Sequence, residues 1–140
     1  MKWYVSSRTR HKAAVRGLLE LLTLHGHDAA CDWTRFDQKE VADTRHASGL
    51  ALDVSSAIKD CDIFMMIGDE AGTDMYVELG IALAYNAQAG KPLIYVVGSH
   101  GKRSLMHSHP AIRHEPTVAD VFRKVCPEIP ADSVRQYRFS

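Results

Sequence analysis

The sequence predicts a single-domain α/β protein over residues 1–140, a three-layer sandwich on a five-stranded parallel sheet. Three observations lead there. Strand-type and helix-type segments alternate along the chain, which is the pattern of a parallel sheet covered by helices on both faces. Two runs, "DIFMMIG" (Asp62–Gly68) and "KPLIYVVG" (Lys91–Gly98), are continuously apolar and bounded by charge or glycine, as in strands buried on both faces. The length of 140 residues suits one domain with a real core.

The elements follow in order. "WYVSS" (Trp3–Ser7) is a short β-type run. In "HKAAVRGLLELLTLHGH", Val15, Leu18, Leu19, Leu22 and His25 fall on one face of a helix that Gly26 can end. "DAACDW" is a candidate second strand, and "RFDQKEVADTRHASG" reads as polar and irregular. "LALDVSSAIKDC" is helical and feeds the buried run at Asp62. A helix from Asp74 to about Gln88 precedes the run at Lys91. "TVADVFRKVC" closes the series, with Thr117 as N-cap and Asp120 three residues on as a capping box.

Composition excludes some function classes. Seventeen basic and seventeen acidic residues balance, which argues against general nucleic-acid or membrane binding. Cys31, Cys61 and Cys126 are an odd set without CxxC spacing, so they read as buried or free thiols of a reducing compartment. The start turns basic at once, without a leader-like apolar run, and the cytoplasm is the expected location. His100, His107, His109 and His114 have no recognised ligand spacing; they read as solvated loop histidines, and neither metal nor cofactor is expected.

Ligands of open parallel sheets bind at the carboxyl ends of strands, near the switch in strand order. Three loops leave such ends, Ser6–His11, Gly68–Glu78 and Gly98–Pro110. One residue in them stands out. Val77, Gly80, Ile81 and Ala84 are spaced to face the sheet, and Glu78 lies one position off that stripe, at the cleft or its rim. Gly80 costs about 1 kcal/mol against alanine in a helix interior, so a close approach of helix to strand is expected there. A first-turn carboxylate is an ordinary helix-dipole partner, and it is equally a nucleophile that the dipole holds ionised.

The block "GTDMYVELGIALAYNAQAGKPLIYV" resembles the signature of the nucleoside 2-deoxyribosyltransferase family and its related nucleotide N-glycosidases, in which a Glu-Leu-Gly and a Gly-Lys-Pro frame a helix. "WYVSSRTR" is similar to that family's first strand and substrate loop, and "LALDVSSAIKDCDIFMM" to its segment of Asp, helix, Asp and buried strand. The likeness spans about Trp3 to Val97. It implies a flavodoxin- or Rossmann-like fold and chemistry at the N-glycosidic bond of a nucleoside or nucleotide. Glu78 is then the nucleophile, and Asp53 the acid that handles the base and its proton. Asp53 can equally be an N-cap. It further implies a homodimer or higher homo-oligomer.

Ser6, Ser7 and Arg8, between a strand end and a helix start, suit an anion, which favours a nucleoside 5′-monophosphate and hydrolysis. Trp33 can stack on a base or sit in the core rim. Transferases of the family carry an Asp six residues before the nucleophile, where this chain has Gly72; Asp74 can substitute or cap the helix. Transfer and hydrolysis therefore stay open. A Toll/interleukin-receptor-like NAD glycohydrolase, which the "ELGIALA" block fits less well, and a non-catalytic nucleotide-binding domain are the alternatives.

Overall fold

A computed structural model describes residues 1–139. The chain runs β1 (Lys2–Ser6), α1 (Lys12–Leu24), β2 (Asp28–Ala29), α2 (Gln38–Ala42), α3 (Thr44–Asp60), β3 (Ile63–Ile67), α4 (Asp74–Ala89), β4 (Leu93–Val97), β5 (Ile112–Glu115), α5 (Val118–Val125) and α6 (Ala131–Arg135). The five strands form one sheet in the order β2-β1-β3-β4-β5, every pairing parallel. The α/β architecture expected from strand–helix alternation is therefore present.

Strand side chains alternate between two apolar layers. Trp3, Val5, Ile63, Met65, Ile67, Tyr95 and Val97 point towards α1, α5 and α6. Tyr4, Phe64, Met66, Ile94 and Val96 point towards α3 and α4. All five residues of β3 are buried, because it is central in the order and covered on both faces. The capping box at α5 forms as the sequence suggests, Thr117 Oγ1 accepting from the Asp120 N–H and Asp120 from the Thr117 N–H. Gly26 ends α1 with a φ of +85°.

Several expectations need correcting. "DAACDW" supplies only two residues of strand. Beyond Ala29 the chain leaves the sheet, and the Trp33 indole N–H takes the Val5 carbonyl at 2.7 Å, where a longer β2 would have bonded. The stretch read as irregular is mostly helix. Asp37 caps α2 and Asp43 caps α3, each side chain accepting a backbone N–H two residues on. Helix α3 thus starts at Thr44, and Asp53 is mid-helix, not an N-cap.

The stripe on α4 is also displaced. Met75, Leu79, Ala82 and Leu83 are the buried residues. Val77 is 64% exposed, and Gly80 and Ala84 are exposed as well. A Cβ built on Gly80 meets nothing within 4 Å, so no strand approaches it. Glu78, three residues after Met75 and four before Ala82, lies on the inward face.

Candidate active site

The switch in strand order lies between β1 and β3, and the residues in question gather at the carboxyl ends of these strands. Tyr4 and Ser6 are two apart on β1, so both side chains leave the sheet on the α4 side. Each meets Glu78. The Tyr4 phenol donates to Glu78 Oε2 at 2.9 Å, and the Ser6 hydroxyl donates to Oε1 at 2.7 Å. Both donors are fully buried and Glu78 is half-buried. Each carboxylate oxygen thus has one fixed donor and keeps a lone pair for other work.

The electrostatics follow from burial. Burial pushes the Glu78 carboxyl above the ordinary glutamate range, the Ser6 and Tyr4 hydroxyls pull it partly back, and nearby Asp74 pushes it up again. Burial and then the Glu78 charge push the Tyr4 phenol far up, so it remains a donor.

A second cluster sits beside the first, on the three loops that the strand ends were expected to supply. Asp69, buried in the β3–α4 loop, accepts from Arg10 Nη2 at 2.8 Å and Nε at 3.1 Å, and from Arg8 Nη1 at 3.3 Å. Its second anchor is the Ala71 N–H, at 3.2 Å. Burial opposes its charge, but the Ala71 N–H and the two guanidinium groups outweigh burial and hold the carboxyl well below its usual range. From the β4–β5 loop, Arg103 Nη1 donates to the Asp69 carbonyl at 3.1 Å and to the Tyr76 hydroxyl at 3.0 Å. Tyr76 in turn donates to the same carbonyl at 2.6 Å. Two guanidinium groups therefore hold the buried Asp69 carboxylate, and a third holds its backbone carbonyl.

The other expected residues fall at varied distances from this centre. Ser6 is committed to Glu78, while Ser7 donates to the Arg8 carbonyl at 2.9 Å. Gly72 has a φ of +111°, which calls for glycine, and a Cβ there would also crowd the side chains of Met75 at 2.9 Å and Arg8 at 3.1 Å. Asp74 is the first residue of α4 and Thr73 its cap, so the capping role does not fall to Asp74. Trp33 is half-buried against both core layers, with its N–H already used by Val5.

Asp53 is exposed on α3, and with Ala30, Cys31 and Ser56 it lines a groove of about 490 Å³. Burial first, then the charges of Asp53, Asp32 and Glu78, raise the Cys31 thiol to about 11.

Sequence reasoning placed Asp69, Tyr76 and Arg103 in the expected loops without singling them out as site residues, and it missed Tyr4 and Cys31. Period-two spacing from Ser6 points to Tyr4; the others have no local signal, because tertiary contacts give them their place. The histidines are not uniformly solvated either. His107 is buried, with Nδ1 accepting from the Ser104 N–H at 3.0 Å and its ring edge-on to Tyr76.

No known family model matches the chain, and no curated protein matches it. Among solved structures, it resembles the CMP N-glycosidase BcmB of Clostridium botulinum, with a TM-score of 0.59 over 98% of this chain and 100% of that one. The likeness is one of fold. Sequence identity is 13%. Among the described residues no helix is long and apolar enough to cross a membrane.

Proposed function

We propose that this chain is an enzyme of the N-glycosidic bond, acting on a nucleoside or nucleotide through Glu78. The observation that carries the reading is the Glu78 carboxylate, half-buried at the switch point with one hydroxyl donor on each oxygen. One Glu78 oxygen attacks the anomeric carbon as the bond to the base nitrogen breaks. The bonding pair leaves with the base, which takes a proton, and a glycosyl ester of Glu78 remains. Tyr4 and Ser6 can stay bonded to that ester and orient it. Water then releases the sugar, or an acceptor base completes a transfer. Asp53, across Cys31, is the candidate for handling the base and its proton.

Hydrolysis of a nucleoside 5′-monophosphate is the favoured form. Arg8, Arg10 and Arg103 converge where Asp69 offers a single compensating carboxylate, which leaves cationic capacity for a phosphate. The solved structure of similar fold is of an enzyme that acts on CMP, in keeping with this form. Transfer of a deoxyribosyl group is the second reading, supported by the Glu-Leu-Gly to Gly-Lys-Pro block, although Gly72 departs from the transferase pattern.

Incubation with deoxynucleosides, ribo- and deoxynucleoside 5′-monophosphates and NAD, with chromatography for free base, tests the reading. Base release from monophosphates is expected, together with a glycosyl adduct on Glu78 in quenched wild-type enzyme. A rise in KM for monophosphates in Arg8→Ala, with nucleosides little affected, is also expected. Release from NAD alone would move the assignment to the NAD glycohydrolases, and no release from any substrate would leave a binding domain.

A further inference from the structure

Asp69 is the buried member of a cluster whose cations reach the surface. Its side chain is 1% exposed, while those of Arg10 and Arg8 are 47% and 34% exposed. Among the described residues its Oδ2 has two side-chain partners, Arg10 and His11. Arg10 makes two bonds to that oxygen, at 2.8 and 3.1 Å. The His11 Nε2 stands 3.5 Å from it, long for a hydrogen bond, so Arg10 holds the place. Burial and then the Arg10 charge lower the pKa of His11 below its ordinary value, against the pull of Asp69, so the ring is neutral at neutral pH. A nitrogen that serves a carboxylate must donate, because an ionised carboxylate only accepts.

The C-terminal segment packs on the same ring. Val134 of α6 is buried, and beyond it Tyr137 and Phe139 lie against the core layer that includes α1. Arg138 between them is exposed, so alternate side chains face inward. Tyr137 sits over Gly17, where a Cβ would stand 2.2 Å from its Cε1, so α1 is notched to receive it. Phe139 then meets His11, with ring centroids 5.5 Å apart and planes inclined at 64°. His11, buried before α1, thus touches an apolar clamp and the anchor of the arginine cluster.

We propose that His11 is a positioning residue for the substrate's phosphate: when Arg10 turns to the anion, the His11 Nε2–H takes over the Asp69 oxygen that Arg10 gives up, and Phe139 keeps the ring within reach. This rests on reading the arginine cluster as a phosphate site. The physical need is plain. Asp69 is too buried to turn to water, and a buried carboxylate stripped of its partner is costly. With no replacement donor that cost would hold Arg10 back from the ligand. Exchange of one donor for another frees the guanidinium, while the Ala71 N–H stays on Oδ1.

Ribose 5-phosphate and deoxyribose 5-phosphate test this on the wild-type chain, since neither contains an N-glycosidic bond and no turnover intervenes. Calorimetry gives their Kd, and nitrogen-15 spectra of the labelled histidines follow the His11 ring. The His11 Nε2–H signal should move as its bond to Asp69 shortens when either sugar phosphate is added, and should stay in place with the unphosphorylated sugars. His11→Leu keeps an apolar partner for Phe139 but has no donor, and should weaken sugar-phosphate binding about tenfold. His11→Gln, whose amide can donate, should recover most of that loss. Phe139→Ala should weaken binding in the same direction with the donor still present. A merely structural His11 would not separate glutamine from leucine. Equal affinities in His11→Leu and wild type, or no sugar-phosphate binding by the wild type, would overturn the proposal. Should His11→Leu misfold by circular dichroism, a His11 signal indifferent to sugar phosphate decides against it. Base release from nucleosides or nucleotides is measured separately: release without any His11 effect on phosphate binding sinks this proposal and spares the Glu78 reading, and the reverse pattern does the opposite.

Discussion

Glu78 is held by opposing effects whose balance can be measured. Burial disfavours its charge and the Ser6 and Tyr4 hydroxyls favour it, with burial the larger. Its folded pKa therefore lies above the unfolded value, and the folded state binds the proton more tightly. The sign follows: its contribution to stability is most favourable below the ordinary carboxylate pKa and is lost as pH rises through the raised one. Glutamine carries no such penalty. Glu78→Gln should thus abolish base release while matching wild-type stability near about pH 4 and equalling or exceeding it at neutral pH, by urea denaturation. A clear loss of stability at neutral pH would make Glu78 a structural residue. Glu78→Ala is a poorer test, since it leaves two fully buried hydroxyls without an acceptor, at about 1–3 kcal/mol each. Tyr4→Phe keeps the stacking on Phe64, where the ring centroids are 5.8 Å apart, and removes one donor. Glu78 then loses a bond to its charged form, so the acid limb of kcat/KM should move to higher pH. A limb that stays in place would mean that Tyr4 does not tune Glu78.

Elements differed in how legible they were, and the reasons are physical. β3 and β4 announced themselves because central parallel strands are buried on both faces and need unbroken apolar runs. β5 has no such signal: it is an edge strand whose Arg113 and His114 are exposed. β2 is two residues long, too short to show a period. α4 misled because it is apolar on both faces, so the stripe Val77-Gly80-Ile81-Ala84 fits a sheet contact as well by spacing as Met75-Leu79-Ala82-Leu83 does. Only packing chooses between them. Glu78 was placed at the cleft from its position at a strand's carboxyl end, but its partners on β1 were not seen, since they are 74 and 72 residues away. The β3–α4 loop was expected to line the site only as the range Gly68–Glu78, with none of Asp69, Glu70 and Asp74 set apart from the others. Of these, Asp69 is 1% exposed and ties the loop to Arg8 and Arg10. With its folded pKa depressed, its contribution to stability is present above the ordinary carboxylate pKa and is lost as pH falls through the lower folded one. Asp69→Asn should cost about 1–2 kcal/mol in urea denaturation at neutral pH, at the low end for a charged bond because both guanidinium groups are a third to a half exposed. The difference from wild type should shrink in acid. A variant as stable as wild type would mean that the two arginines do not hold the loop.

At the scale of the molecule, the parallel order brings three loops from separate strand–helix units to one edge, with Asp69 as their common anchor. Arg8 and Arg10 reach it from β1–α1, and Arg103 reaches its carbonyl from β4–β5. No single unit supplies both the candidate nucleophile and the guanidinium cluster: Glu78 stands on α4, its donors on β1, and the guanidinium groups on two other connections. A ligand that spans from Glu78 to the arginines would therefore bind the folded molecule and have no counterpart in the unfolded chain. Such a ligand stabilises by mass action, by about 2.7 kcal/mol at a hundred times its Kd. The inactive Glu78→Gln chain makes the test free of turnover. Its Tm should rise with a nucleoside 5′-monophosphate and much less with the matching nucleoside. Adding Arg103→Ala to Glu78→Gln should cut the monophosphate shift and leave the smaller nucleoside shift in place, because Arg103 meets the rest of the site through Tyr76 and Asp69 and has no bond to Glu78's donors. Equal shifts for phosphorylated and free nucleoside would show that the arginines only tie the loops together, and the favoured substrate would become the free nucleoside. A monophosphate shift that survives intact in Arg103→Ala would confine anion binding to Arg8 and Arg10.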